Sequence, residues 1–108
     1  MKVCELLKVY DFHDSLMEEI VLNEKRICMR IDFCNWKQDG YREGEETKEI
    51  LLVFEDVDYT EIPPVESNSD EIIDVKRKGT TGVEFLLFND VKNITYSVVV
   101  FAKSVSIR

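Results

Sequence analysis

Ile27-Cys28-Met29-Arg30-Ile31-Asp32-Phe33 is the stretch whose reading decides the fold. Ile27, Met29, Ile31 and Phe33 fall on every second position, with Cys28, Arg30 and Asp32 between them. Strict alternation gives a strand one apolar face and one polar face. The stretch sits inside a longer run, Phe12–Trp36, that holds the only histidine, His13, and the only tryptophan, Trp36.

Working outward, Leu22-Asn23-Glu24-Lys25 reads as a turn into this strand. Leu16–Leu22 admits two readings. Ser15 and Glu18 form a capping-box pair, but seven residues are few for a helix, so a strand completing a hairpin is preferred. Residues 3–10, VCELLKVY, are apolar-rich and read as a first strand on an edge. Trp36–Lys48 is a polar loop. Glu49–Asp58 is a strand whose centre, ILLVF, is apolar on both faces and therefore needs cover on both sides. Pro63-Pro64 cannot donate to a ladder, which makes Tyr59–Asp70 a connection. Glu71–Lys78 is a shorter strand with Ile73 and Val75 inward. Gly79–Gly82 turns into Val83–Phe88, again two-sided at FLLF, and Asn89-Asp90 suits a tight turn. Lys92–Ile107 is the last strand. Ile94, Tyr96, Val98 and Val100 share a face, while Val105 and Ile107 have the opposite parity, which places a bulge near Ala102. The expectation is one all-β domain over residues 1–108: an antiparallel sandwich or curved half-barrel of about six to eight strands, with at most one short helix.

Charge is distributed unevenly. The chain carries −8 overall, but Glu43–Asp74 alone holds twelve acids against Lys48, and residues 75–108 are net +4. An acidic middle repels nucleic acid and anionic membranes and attracts a basic protein at long range; it also serves simply as a soluble surface. No apolar run approaches the ~20 residues of a membrane span, and the N-terminus lacks a signal-peptide core, so a cytoplasmic location is expected.

Chemistry is sparse. Cys4, Cys28 and Cys34 form no CxxC, and on one strand Cys28 and Cys34 would lie ~20 Å apart, so reduced thiols are expected. Their spacing with His13 matches neither a zinc site nor a Cys–His nucleophile, and GTTG is not a phosphate loop. No metal, cofactor or catalytic activity is expected. His13-Asp14 is the polar pair that stands out. It reads as a site residue poised by a carboxylate, or as a corner in which the imidazole bonds backbone and Asp14 or Ser15 closes the turn.

The run Phe12-His13-Asp14-Ser15, followed by Leu16, Ile20 and an alternating strand ending near Trp36, resembles the opening of several small bacterial β-rich families. Among them are immunity proteins of polymorphic-toxin systems. Leu52-Val53-Phe54-Glu55-Asp56-Val57 is similar to a later strand of that pattern. The resemblance implies a compact domain that binds another protein without activity of its own, with His13-Asp14 as a structural corner.

Two functions follow as expectations. In the first, an acidic surface of Glu43, Glu45, Glu46, Asp56, Asp58 and Glu61, with Trp36 and Tyr41 as aromatic anchors, docks a basic protein. In the second, a cavity near His13 and Trp36 binds a small ligand or supports a minor activity. A homodimer covering the two-sided strands is a third, structural option.

Overall fold

The computed structural model describes residues 1–34, 38, 47–64 and 69–108. It is all-β apart from one helix, α1 (Val3–Val9). Six strands follow: β1 (Leu16–Asn23), β2 (Arg26–Cys34), β3 (Thr47–Glu61), β4 (Asp70–Lys78), β5 (Gly82–Asn89) and β6 (Ile94–Ile107). All neighbours pair antiparallel, and the order β1-β2-β3-β6-β5-β4 closes into a barrel. Closure replaces the expected sandwich or half-barrel.

The barrel interior is built from the alternating residues. Ile27, Met29, Ile31 and Phe33 of β2 are all buried, facing Phe54, Leu52 and Ile50 of β3 in register. Leu16–Leu22 is strand, and its hairpin with β2 turns through Glu24 and Lys25 between the paired Asn23 and Arg26. Glu24 has φ 56°, the left-handed conformation that such two-residue turns require.

Residues 3–10 are corrected from an edge strand to α1. Val3 and Leu6 are buried and Leu7 packs beside them, a helical spacing. The helix lies against β4, β5 and β6 and supplies the barrel with apolar cover that a further strand would not. Glu5 in its first turn and Lys8 in its last oppose the helix dipole.

Bulges decide which residues point inward. In β4, Ile72 rather than Ile73 is fully buried, because the register with β5 shifts between Ile72 and Asp74; Val75 then packs against the core as expected. In β6 the inward face passes from Ala102 to Val105, as the change of parity anticipated. Opposite it, β3 passes from Phe54 to Val57 with Asp56 at φ 53°. The outward faces of the two-sided strands are largely shielded within one chain. Val53 is buried, and Leu51, Leu86 and Phe88 are half-buried.

Candidate functional site

The corner at Phe12–Ser15 is where the barrel closes. Strand β1 meets β4 at only two residue pairs, Leu16–Glu71 and Met17–Asp70. The corner extends that seam by backbone bonds: Asp14 N–H donates to Ile72 O at 3.0 Å, and Ile72 N–H donates to Ser15 O at 2.8 Å. The Ser15 hydroxyl is buried and accepts the Cys34 N–H at 2.8 Å, tying the corner to the end of β2. Asp14 sits at φ 68°, which aspartate tolerates better than most residues. Phe12 anchors the whole segment. Its ring packs on Phe33 (5.4 Å between centroids), Phe85 (6.1 Å) and Tyr10 (6.2 Å).

His13 is exposed. Its Nδ1 lies 3.4 Å from Asp14 Oδ1, and its backbone N–H donates to Asp11 Oδ1 at 2.9 Å. Asp11 and Ser15, rather than the imidazole, therefore close the turn. Gln38 pins the same corner: its amide donates to Asp11 O at 2.6 Å and to Cys34 O at 3.2 Å, while its carbonyl accepts Asp11 N–H. His13 lines an open cleft of about 330 Å³ with Leu7, Tyr10, Asp11, Phe12, Asp74 and Val75. Asp74 Oδ1 accepts the Val75 N–H at the β4 bulge.

The acidic surface is described in part. Trp36, Tyr41, Glu43, Glu45 and Glu46 lie outside the described residues. Asp56, Asp58 and Glu61 are brought together on the second half of β3, all exposed. There β3 has run past its ladder with β2, which ends at Phe54, and pairs with β6 as far as Glu61. Among the described residues no cation forms an ion pair with Asp56, Asp58 or Glu61. Glu55, by contrast, is neutralised by Arg26 at 2.6 Å, and that contact raises the guanidinium's pKa through a hydrogen bond and charge attraction.

Tyr59 is a surface residue that sequence reading missed. It is 51% exposed between Asp58 and Glu61, and its ring meets that of Phe101 in an edge arrangement with centroids 6.0 Å apart. Its hydroxyl donates to Glu61, a bond that pushes the phenol's pKa up. An aromatic flanked by acids on a strand end was the available signal. Asp70 was also missed. It is a buried carboxylate that accepts Asn89 Nδ2 at 3.1 Å and the Tyr96 hydroxyl, joining β4, β5 and β6. Asn89 in turn accepts Lys92 N–H at 2.9 Å, fixing the β5–β6 turn.

Among the described residues no group of three or more histidine, cysteine, aspartate or glutamate side chains could hold a metal ion. Cys4, Cys28 and Cys34 are not bridged. No helix among the described residues is long and apolar enough to cross a membrane. In comparisons with known proteins, no family model, no curated protein and no solved structure matches this chain.

Proposed function

We propose that this chain is a non-catalytic protein-binding module of the cytoplasm, of the immunity type that its opening residues resemble, and that it docks an acidic surface onto a basic partner. The observation that supports this reading is the end of β3. Asp56, Asp58 and Glu61 project there from a rigid strand, Tyr59 stands among them as an exposed aromatic, and no neighbouring cation is paired with the three carboxylates in the described residues. Carboxylates so placed steer a basic protein during encounter, and a rigid aromatic supplies contact area at little entropic cost. In this reading Trp36, Tyr41, Glu43, Glu45 and Glu46, which lie outside the described residues, also take part in binding.

The test is affinity capture from the native cell followed by association kinetics with the captured protein. The expected partner is basic, its on-rate falls steeply with salt, and Asp56→Asn with Asp58→Asn and Glu61→Gln slows association more than dissociation. An association indifferent to salt and to those three substitutions rules the docking surface out.

The cleft at His13 favours a second reading, a small-ligand site. It predicts a thermal shift with a metabolite that His13→Ala abolishes; a metabolite screen without any shift removes it.

A further inference from the structure

Cross-strand pairing assembles an aromatic step beside the acids at the end of β3. Tyr59 of β3 lies opposite Phe101 of β6, and Phe101 lies opposite Gly82 of β5. The Phe101 ring rests over that glycine, where an added β-carbon would lie 2.4 Å from its Cε1. Any larger residue at position 82 would displace the ring. Phe101 is half-buried there and supports Tyr59 from the side. The Tyr59 ring stays exposed, and its hydroxyl donates to Glu61, two residues on and therefore on the same face of the strand. An exposed ring is thus held at one side by packing and at its tip by a hydrogen bond. A merely solvated strand end needs neither.

Three properties define what fits this step. The face of an aromatic ring carries negative charge density and attracts a cation. Glu61 accepts the Tyr59 hydroxyl through Oε1, which leaves Oε2 for another donor, and among the described residues no cation is paired with Glu61 or Asp58. Ile62, the next residue, is an exposed apolar side chain that can take the methylene stem of a long cationic one. A lysine ammonium meets the charge, but it is compact and strongly hydrated. An arginine guanidinium is planar and weakly hydrated, so it stacks on a ring while its N–H groups reach a carboxylate alongside.

We infer that the basic partner supplies an arginine to this step. Its guanidinium lies on the Tyr59 ring, its N–H groups donate to Glu61, and its stem runs along Ile62. The inference rests on the docking reading above and names the side chain that the surface receives. Long-range charge brings the partner in, and the ring selects arginine over lysine once it has arrived.

Amide-resolved NMR titration of the whole chain with blocked tri-arginine and tri-lysine peptides at low salt tests this. Tri-arginine is expected to shift the amides of Tyr59, Glu61 and Phe101 and to bind about threefold or more tighter than tri-lysine. Tyr59→Phe keeps that preference. Tyr59→Leu, which retains apolar area but loses the ring, is expected to weaken tri-arginine about fivefold and tri-lysine less than about twofold. Circular dichroism verifies folding, and Tyr59→Thr takes over should the leucine variant not fold. Equal affinity for the two peptides, or tri-arginine binding that loss of the ring leaves intact, overturns the inference. If Asp58→Asn with Glu61→Gln still weakens both peptides, the acidic docking reading survives that result. Tri-arginine that leaves those amides unmoved also overturns the inference, and the salt dependence of association with the captured partner then decides the docking reading separately.

Discussion

Replacing Phe12 by alanine tests whether the corner is held by packing rather than by its polar residues. The ring is 1% exposed and sits among Phe33, Phe85 and Tyr10. A buried aromatic side chain removes about 150–250 Å² from water, and at about 25 cal/mol per Å² that is worth roughly 4–6 kcal/mol, an upper figure because unfolded chains are partly compact. Alanine retains its β-carbon, and the void left between three rings adds a cavity cost. Phe→Ala substitutions in cores accordingly lose about 3–5 kcal/mol. In a chain of 108 residues, whose total stability is of the order of 5–15 kcal/mol, this is a large fraction. With an unfolding entropy of about 2.1 cal/mol/K per residue, a loss of about 4 kcal/mol lowers the melting temperature by roughly 18 °C. Urea unfolding of Phe12→Ala and His13→Ala, side by side, is the assay. His13→Ala should stay within about 0.5 kcal/mol of wild type, because the imidazole is exposed. A Phe12→Ala loss below about 1.5 kcal/mol, or a His13→Ala loss equal to it, refutes the packing account of the corner.

Gly82→Ala should destabilise the β4–β5 hairpin by about 1–3 kcal/mol, since its new β-carbon would lie 2.4 Å from Phe101 Cε1 and 2.6 Å from the Lys78 backbone carbonyl; thermal melts measure it. Glu84 is held below the usual carboxylate range, chiefly by its hydrogen bond with Lys78 and then by Ser97. A depressed folded-state value adds stability above the unfolded carboxylate's pKa, and the increment is lost as pH falls through the lower folded value. Glu84→Gln should therefore flatten the acid limb of a stability-versus-pH curve while changing its shape little above pH ~6.

The barrel wall was legible wherever burial imposed a simple period. Ile27–Phe33 alternates because one face is core, and the parity change between Ala102 and Val105 was visible because β-branched residues line both halves of β6. The helix was missed although Val3, Leu6, Leu7 and Tyr10 fall at i, i+3, i+4 and i+7, the spacing of a helical face, because an apolar-rich run of eight residues was weighed by its length and composition rather than by its period. Ile73 was misplaced by a bulge that no turn residue announces. Closure itself rests on Leu16–Glu71 and Met17–Asp70, residues far apart in sequence with no local signature. At the candidate site the exposure of Asp56, Asp58 and Glu61 followed from charge alone. Tyr59 did not, because the prolines at 63 and 64 suggest a connection from Tyr59 onward, whereas β3 runs on to Glu61 before it ends. At the corner Ser15 was read as a closing group and is one, through the Cys34 N–H that only the fold brings to it; Asp11, which accepts the His13 N–H, was not read, and the imidazole does not play the backbone-bonding part expected of it.

Strand β3 is 15 residues long, about 50 Å at the usual rise per residue, while the molecule's longest extent is 39 Å. Its regular course is interrupted at Asp56, whose φ of 53° is left-handed, and the next residue's N–H, that of Val57, is held by Lys25 O at 2.8 Å. Mechanically the far end of β3 is laced along its length to β6, at Val57–Ala102, Tyr59–Phe101, Thr60–Val100 and Glu61–Val99. A load applied at Asp58 or Glu61 therefore spreads through β6 into β5 as well as through the Val57–Lys25 bond into the β1–β2 turn, so the acidic end of β3 moves with the barrel wall rather than on its own.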